Sequence, residues 1–215
     1  MHGVVGQHLG ADSRCTIAVG SLQSQAGTAG WTPATRLALR LLLLTGARAT
    51  EACGASWDEI NTETADWVIP RERIKNGREH RIPLSEPAME LVQEAATLRE
   101  GDWLLPAARG DGHLTTWGVL QAVQRILGPG VTVHDLRRTT ATGLQRLGIR
   151  LEVTEAVLNH VSGTRAGVVG IYQRHDWSAE KRAALDAWAR HILVLAADEA
   201  DVGNVVPLSP SRVAG

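Results

Sequence analysis

This chain contains arginine, lysine, histidine and tyrosine side chains that together could cleave a phosphodiester bond. Breaking such a bond without a metal ion requires cations that neutralise the non-bridging oxygens, a nucleophile, and a proton donor for the departing oxygen. Arginine suits the first role because its planar guanidinium matches the geometry of a phosphate and stays protonated. The candidates for these roles are Arg48, Lys75, His134, Arg137, His160 and Tyr172.

The first arginine belongs to the segment Thr45-Gly46-Ala47-Arg48-Ala49-Thr50-Glu51. Glu51 follows Arg48 by three residues, so on a helix the two side chains share a face and the carboxylate would orient the guanidinium. The alternative interpretation is an ordinary surface ion pair, which the segment alone would favour.

The second arginine follows a histidine in the segment His134-Asp135-Leu136-Arg137. Thr132 and Asp135 approximate a capping box, which predicts that a helix begins here. A spacing of three places His134 and Arg137 on one face of its first turn, where free N–H groups and the helix dipole favour an anion. The alternative is a solvated pair that flanks the buried Leu136.

The three remaining candidates are weaker when each is taken alone. A lysine beside a turn, such as Lys75, is usually solvated. A histidine that follows an apolar helical stretch, such as His160, is more often structural than catalytic. Tyr172 is the only tyrosine of the chain and phenylalanine is absent, so no other phenol could serve as a nucleophile. The alternative for Tyr172 is an aromatic residue of the core or of an interface.

The elements that must position these residues are mainly helical. Thr32-Pro33 predicts an N-cap followed by proline at the first helical position, and Gly46 is expected to end that helix. Asn76-Gly77 is a tight-turn signal between two short predicted strands, which places Lys75 at the lip of a β-hairpin in a three-stranded sheet. The other predicted helices cover 48–56, 85–95, 115–127, 133–148, 151–158 and Ser178–Leu195, with a loose tail over Asp201–Gly215; the strands cover 67–69 and 81–84.

The composition describes an ordinary globular protein whose net charge does not indicate a nucleic-acid partner. The chain has 215 residues, 44% hydrophobic residues and a formal net charge of −1. Nucleic-acid binding would therefore need a local arrangement of cations. The alternative is that the basic stretch is a solvated strand face. The candidate DNA-binding residues are Arg71, Arg73, Arg78 and Arg81 in that stretch and Arg138 farther along the chain.

The targeting and redox signals favour the cytoplasm. The longest apolar run, within Leu37–Leu44, is too short to cross a bilayer, and Met1–Gly30 lacks the apolar stretch of a secretory signal. Cys15 and Cys53 show neither a ligand-like spacing nor a paired framework.

Taken in order, the six candidate residues resemble the active-site set of the tyrosine recombinase, or phage integrase, family. The resemblance spans Thr32 to Trp188. It departs from the family at Gly54-Ala55-Ser56, where a bulkier stretch is usual, and in the longer spacing from His160 to Tyr172, which looks like one integrase subgroup. The motifs that carry it are Thr45–Glu51, Trp57–Ile60, Ile74–Leu84, His134–Thr139, Leu158–His160 and Ile171-Tyr172.

The resemblance implies the fold and the domain organisation. The fold would be mainly α with a small antiparallel β-sheet, that of the DNA breaking-rejoining enzymes. A catalytic domain over residues 31–196 would lie between a flexible lead-in at 1–30 and a C-terminal tail at 197–215. The family's N-terminal core-binding domain is expected to be absent, because residues 1–30 cannot supply it.

The resemblance also implies a role for each site residue. Glu51 and Asp135 would support the arginine and histidine beside them, and the reaction would need no metal and no cofactor. The implied roles are phosphate clamping for Arg48 and Arg137, a phosphate bond and handling of the tyrosine proton for His134, a phosphate bond for His160, general acid for Lys75, and nucleophile for Tyr172.

The implied activity is site-specific recombination of double-stranded DNA, for integration or excision of a phage or mobile element, through a 3′-phosphotyrosyl intermediate. No small-molecule substrate and no membrane are expected. The helix Ser178–Leu195 could pack on its own domain, or the C-terminal segment could dock on a neighbour in a homotetramer on DNA. The alternatives are a type IB topoisomerase, a non-enzymatic DNA-binding remnant of an integrase, and a helical interaction module.

Overall fold

The computed structural model describes residues 31–160 and 176–202, with side chains as far as Ala197. These ranges hold seven α-helices, two short 3-10 helices and one three-stranded sheet, which confirms a mainly helical fold with a small sheet. The helices are α1 Pro33–Thr45, α2 Ala49–Cys53, α3 Glu86–Ala96, α4 Thr116–Leu127, α5 Val133–Arg146, α6 Leu151–Val157 and α7 Ser178–Val202. The strands are β1 Ile60–Asn61, β2 Asp66–Ile69 and β3 His80–Pro83.

Helix α1 is the centre of the core, and the sequence predicted both of its ends. The hydroxyl of Thr32 accepts the backbone N–H of Thr35 at 3.2 Å, and Gly46 ends the helix at a φ of 64°. Its leucines are buried on several sides because α3, α4, α5 and α7 all pack against it. The segment that carries Arg48 therefore follows directly from a helix that is held in place by the core.

The sheet is antiparallel in the order β1-β2-β3, with Trp67 opposite Ile82. The prediction of a tight hairpin between β2 and β3 is wrong in one respect, because a 3-10 helix over Arg71–Arg73 lies between β2 and the turn. Pro70 initiates this extra turn, and the connection becomes a broad loop with Gly77 at a φ of 64°. Lys75 lies in this loop.

Helix α2 is shorter than the 48–56 that the sequence predicted. It ends at Cys53, and a separate 3-10 helix covers Trp57–Glu59. Gly54 ends α2, and the following Ser56 forms an antiparallel bridge with Trp103, which pulls the chain out of helical geometry.

The capping box that was predicted for α5 is present. The carboxylate of Asp135 accepts the backbone N–H of Thr132 at 2.9 Å and its hydroxyl at 2.8 Å. Asp135 thus supports the start of the helix that carries His134 and Arg137.

Helix α7 is longer than predicted and packs on its own domain. It continues to Val202, so the predicted loose tail is wrong for residues 201–202, because alanine, leucine and acidic helix formers extend without glycine or proline until Gly203. Trp188 is buried and its indole N–H donates to the carbonyl of Leu43 at 2.8 Å. Lys181 donates to the carbonyl of Arg81 at 2.6 Å and thereby fixes the start of α7 to β3.

Candidate active site

Arg48 and Glu51 form a buried pair rather than a surface one. Nη1 of Arg48 lies 2.7 Å from Oε1 of Glu51, and the backbone N–H of Arg48 donates to Oε2 at 2.8 Å. Burial, with 2% of the residue exposed, would raise the pKa of Glu51, but the hydrogen bonds and charge of Arg48 outweigh it and hold that pKa below its ordinary value. The carboxylate therefore stays ionised and fixes the guanidinium at the start of α2.

Arg137 projects from α5 into the interior, where 3% of the residue is exposed. Nη1 donates to the carbonyl of Gly46 at 2.5 Å and Nη2 donates to the carbonyl of Leu158. Burial lowers the pKa of Arg137 to about 10, and repulsion from Arg48 adds to the effect. The carboxylate of Glu51 opposes this repulsion, so the two guanidinium groups share one buried counter-charge.

The C-terminal end of α6 is the point where these elements meet. Three consecutive backbone carbonyls there each accept a side-chain donor from a different part of the chain. Unpaired carbonyls at a helix end carry partial negative charge, so cationic and N–H donors suit them. The pairs are His80 with Val157 (3.0 Å), Arg137 with Leu158, and both Arg48 and Asn76 with Asn159 (3.4 Å each).

His160 follows these three carbonyls and lies among the cations. Burial lowers the pKa of His160 first, and repulsion from Arg137, Arg48 and His134 lowers it further, against an opposing effect of Glu155. Both His160 and His134 are exposed. The structure thus brings together four of the six predicted residues around one solvent-facing region.

Lys75 lies in the loop next to Asn76, and it is Asn76 that contacts this region. The side chain of Lys75 is exposed. The amide of Asn76 donates to Oδ1 of Asn159 at 3.2 Å and so ties the loop to the residue that precedes His160. Tyr172 lies outside the described residues.

The basic stretch is not a uniform free face, because preceding carboxylates engage two of its arginines. Arg73 is bonded to Glu59 and donates to the carbonyl of Glu51 at 2.8 Å, so it braces α2. Arg81 lies 3.1 Å from Asp66. The remaining candidates are exposed: Arg71, which pairs with Glu72 at 2.8 Å; Arg78; and Arg138, whose Nη1 lies 3.6 Å from Asp135.

Sequence reasoning missed His80, Asn76 and Asn159. Alternation with the buried Ile82 along β3 could have indicated that His80 faces inward. Only 3% of His80 is exposed, and burial lowers its pKa to about 4. Asn159 has a φ of 48°, a left-handed conformation that asparagine tolerates better than most residues, but this signal does not predict its partner.

Other kinds of site find little support in the part of the chain that the structure describes. It contains no group of three histidine, cysteine, aspartate or glutamate side chains that could hold a metal ion. Burial raises the pKa of Cys53 to about 11, which leaves its thiol unreactive near neutral pH. None of the helices within these same ranges has the length and apolar character needed to cross a bilayer.

Comparison with known proteins identifies the family. Residues 29–177 match the model of the Phage integrase family. The chain belongs to this family. Among curated relatives, this phage integrase chain is 32% identical over 191 residues to the prophage integrase IntA of Escherichia coli strain K12, which covers 87% of the chain and 45% of IntA. It is 29% identical over 154 residues to the tyrosine recombinase XerD of Mycobacterium tuberculosis strain H37Rv, covering 65% of the chain and 48% of XerD. The chain thus spans about half the length of these relatives.

Solved structures show the same fold. The phage integrase chain superimposes on the XerH site-specific recombinase bound to difH substrate with a TM-score of 0.57 and 21% identity, over 80% of the chain and 51% of XerH. A dimer of lambda integrase residues 75–356 bound to a COC′ core site gives a TM-score of 0.54 at 22% identity, over 72% of this chain and 57% of that chain. The described residues therefore have the fold of a tyrosine recombinase catalytic domain.

Proposed function

We infer that this chain carries the catalytic part of a site-specific recombinase, which cleaves and rejoins double-stranded DNA through a 3′-phosphotyrosyl bond at Tyr172. The observation that supports this most is the meeting of Arg48 and Arg137 at the carbonyls that end α6, with His160 as the next residue and His134 near it. A phosphate bound there would lie beside two guanidinium groups and two imidazoles.

The arginines provide binding and transition-state stabilisation. Arg48 and Arg137 would each donate to a non-bridging oxygen of the scissile phosphate, while Glu51 holds the first guanidinium in place. Among the described residues, the buried Nε–H of Arg137 has no acceptor, so this side chain retains donor capacity. Donors fixed before the reaction stabilise developing charge without reorganising, and one such donor is worth about 10²–10³-fold in rate.

The reaction has one bond formed and one broken. The phenol oxygen of Tyr172 attacks phosphorus, the bond from phosphorus to the 5′ oxygen breaks, and the ammonium of Lys75 gives its proton to that oxygen. His134 takes up the phenol proton, and His160 bonds a phosphate oxygen. The ester keeps the energy of the broken bond, so the 5′ hydroxyl of a partner strand can reverse the step and complete strand exchange.

The DNA backbone would contact exposed cations around the site. We assign this role to Arg71, Arg78 and Arg138, which are exposed, since Arg73 and Arg81 are paired with the buried carboxylates of Glu59 and Asp66. The protein would act in the bacterial cytoplasm on double-stranded DNA, in a homotetramer assembled through the C-terminal segment beyond Ala197.

A suicide duplex tests the proposal. A nick beside the cleavage position lets the 5′-hydroxyl fragment diffuse away, so any phosphotyrosyl complex accumulates. The wild-type chain should give a denaturation-resistant DNA–protein band, and Tyr172→Phe should lose that band while it still shifts the duplex on a native gel. Equal covalent capture by Tyr172→Phe would refute the assignment, and DNA binding by the wild-type chain without capture would favour a non-enzymatic remnant.

A further inference from the structure

A single side chain, that of Asn76, ties the loop that carries Lys75 to the end of α6, while Arg73 and the buried Ile74 hold the part of the loop before Lys75. Oδ1 of Asn76 accepts the backbone N–H of Arg78 at 3.2 Å, which stabilises the turn itself. Nδ2 of the same amide donates to Oδ1 of Asn159 at 3.2 Å and to its carbonyl at 3.4 Å. The acceptor half of this side chain thus serves its own turn, and the donor half serves a residue 83 positions away.

Asn159 is held in an unusual conformation where this contact is made. Its φ of 48° lies in the left-handed region, which non-glycine residues adopt rarely and which concentrates at functional sites. This conformation directs one carbonyl toward both Asn76 and Arg48. The next residue, His160, is anchored through its backbone N–H to the carbonyl of Glu155 at 2.9 Å. The loop is therefore attached to the same end of α6 that Arg48, Arg137 and His160 contact or follow.

We propose that the side chains of Asn76 and Asn159 form an amide clamp that positions Lys75 for proton donation to the leaving 5′ oxygen. The inference rests on the proposed function. Lysine has a flexible four-carbon stem, and Lys75 lies exposed in a loop, so its ammonium would otherwise sample many positions. A general acid must come within about 3 Å of the atom that it protonates. Asn76 and Asn159 are positioning residues in this scheme, and Lys75 is the group that touches the substrate.

The clamp should matter only when the leaving group needs a proton. With an ordinary phosphodiester, the 5′ oxygen leaves as a poor alkoxide unless the ammonium protonates it. With a 5′-bridging phosphorothiolate, the phosphorus–sulfur bond breaks instead and the departing thiolate, whose conjugate acid has a pKa of about 8.5, leaves without help. A defect in positioning the acid is therefore visible with oxygen and suppressed with sulfur.

Asn76→Asp isolates the donor half of the clamp. The carboxylate keeps an acceptor for the backbone of Arg78 and loses the N–H that reaches Asn159. On a suicide duplex, in a sequence that the wild-type chain selects from a library of randomised nicked duplexes, we expect Asn76→Asp to slow single-turnover cleavage about 10–100-fold. On the matching phosphorothiolate, the rate should stay within about 3-fold of the wild-type rate.

Four further variants separate the positioning of Lys75 from effects of added charge, of folding and of the loop in general. Asn76→Ala removes the donor without adding a negative charge and should show the same dependence on the leaving group. Lys75→Ala should show a larger effect of the same kind. Asn159→Gly accepts the left-handed backbone, removes Oδ1 and should combine less than additively with Asn76→Asp. Glu79→Gln, an isosteric change in the same loop, is the matched control and should leave both rates unchanged. Asn76→Asp, Lys75→Ala and Glu79→Gln should melt at the wild-type temperature, whereas Asn76→Ala also loses the acceptor for Arg78 and should melt slightly lower.

The outcomes separate the two proposals. Cleavage slowed equally with oxygen and sulfur leaving groups would assign Asn76 to folding or DNA binding and overturn the clamp. Wild-type rates for Asn76→Asp on both substrates would also overturn it, while the proposed function stands. Failure of the wild-type chain to capture either duplex would instead overturn the proposed function, and the clamp with it.

Discussion

Some residues of the candidate site both stabilise the fold and are proposed to contact the phosphate, and Arg137 is the clearest example. Its two terminal nitrogens donate to the carbonyls of Gly46 and Leu158, so it joins α1, α5 and α6 in addition to the role proposed for it on phosphate. Arginine can do both because it carries five donors in a rigid plane. Lysine offers one point charge and cannot reproduce that geometry.

Arg137→Lys should therefore lose more activity than stability. We expect cleavage to slow by about 10²–10³-fold, the effect of removing one fixed transition-state donor. The free energy of unfolding should fall by about 1–3 kcal/mol because a buried carbonyl loses its partner. Single-turnover cleavage and urea unfolding measure the two effects. Arg40→Lys is the control, since Arg40 pairs with Glu94 on the surface, and wild-type-like cleavage by Arg137→Lys would count against its assignment.

His80 makes the stability of the domain depend on pH. Burial lowers its pKa in the folded protein to about 4, against about 6.5 in an unfolded chain, so the unfolded state binds the extra proton first as the solution is acidified. Folding stability should be full above pH 6.5 and should decline as the pH falls toward 4, by at most about 3 kcal/mol.

Urea unfolding of wild type and His80→Gln at several pH values checks this prediction. Glutamine retains an N–H that could reach the carbonyl of Val157 but does not titrate. The difference in unfolding free energy between the two proteins should change between pH 6.5 and 4. A constant difference across that range would show that His80 is not the titrating group.

The sequence predicted those site contacts that are local and missed those that are not. A spacing of three residues sufficed for Arg48 with Glu51 and for the Asp135 capping box. The bond between Asn76 and Asn159 joins residues 83 positions apart, and no local pattern encodes it. Likewise, the sequence shows that Arg73 belongs to a basic stretch, but it does not show that the carboxylate of Glu59 lies against it.

Elements position the site through close packing, and α5 against α7 is the tightest case. A Cβ placed on Gly143 of α5 would overlap the ring of Trp188 on α7. Trp188 cannot retreat easily, because its indole donates to Leu43. Helix α7 follows the segment that bears Tyr172, so this contact holds in place the helix that comes after the proposed nucleophile.

Gly143→Ala should therefore destabilise the domain by about 1–3 kcal/mol through overpacking. Gly118→Ala in α4 is the matched control, since its nearest added contact is an ordinary 3.5 Å and alanine favours helices by up to about 1 kcal/mol. Thermal melting should thus move in opposite directions for the two variants. Equal melting temperatures for Gly143→Ala and wild type would mean that α7 is not packed as described.

The sequence predicted the number and type of elements better than their ends. Caps with their own hydrogen-bonding chemistry, such as Thr32 and the pair of Thr132 and Asp135, indicate where helices begin. The 3-10 helix at Arg71–Arg73 begins at Pro70, a local signal that the turn at Asn76-Gly77 obscured. The early end of α2 is accompanied by the bridge between Ser56 and Trp103, which is a tertiary contact. The apolar face that the sequence predicts for α7 ends at Leu195, whereas the helix itself continues to Val202.

At the scale of the whole molecule, a net charge of −1 and a proposed DNA partner are compatible only if cations are concentrated locally. Glu51, Glu59 and Asp66 pair with Arg48, Arg73 and Arg81, whereas Arg78 and Arg138 are exposed. We expect the DNA to contact exposed cations of this kind. Binding should accordingly be electrostatic and sensitive to salt.

Salt titrations of DNA binding test this charge distribution. Arg78→Ala and Arg138→Ala should each weaken binding and reduce the slope of log K against log salt by about 1, as expected for one lost phosphate contact. Arg125→Ala, an exposed arginine of α4 outside this set, should leave the slope unchanged. Unaltered slopes for both Arg78→Ala and Arg138→Ala would place the DNA elsewhere.

Mass spectrometry of the covalent complex with DNA would identify the nucleophile itself. The wild-type complex with a suicide duplex is digested with nuclease and trypsin, which leaves a nucleotide on the modified peptide. We predict the nucleotide mass on Ala166–Arg174, the tryptic peptide that contains Tyr172, joined through a 3′ phosphate. A nucleotide on any other peptide, or an unmodified Ala166–Arg174 in a verified covalent complex, would contradict the assignment of Tyr172.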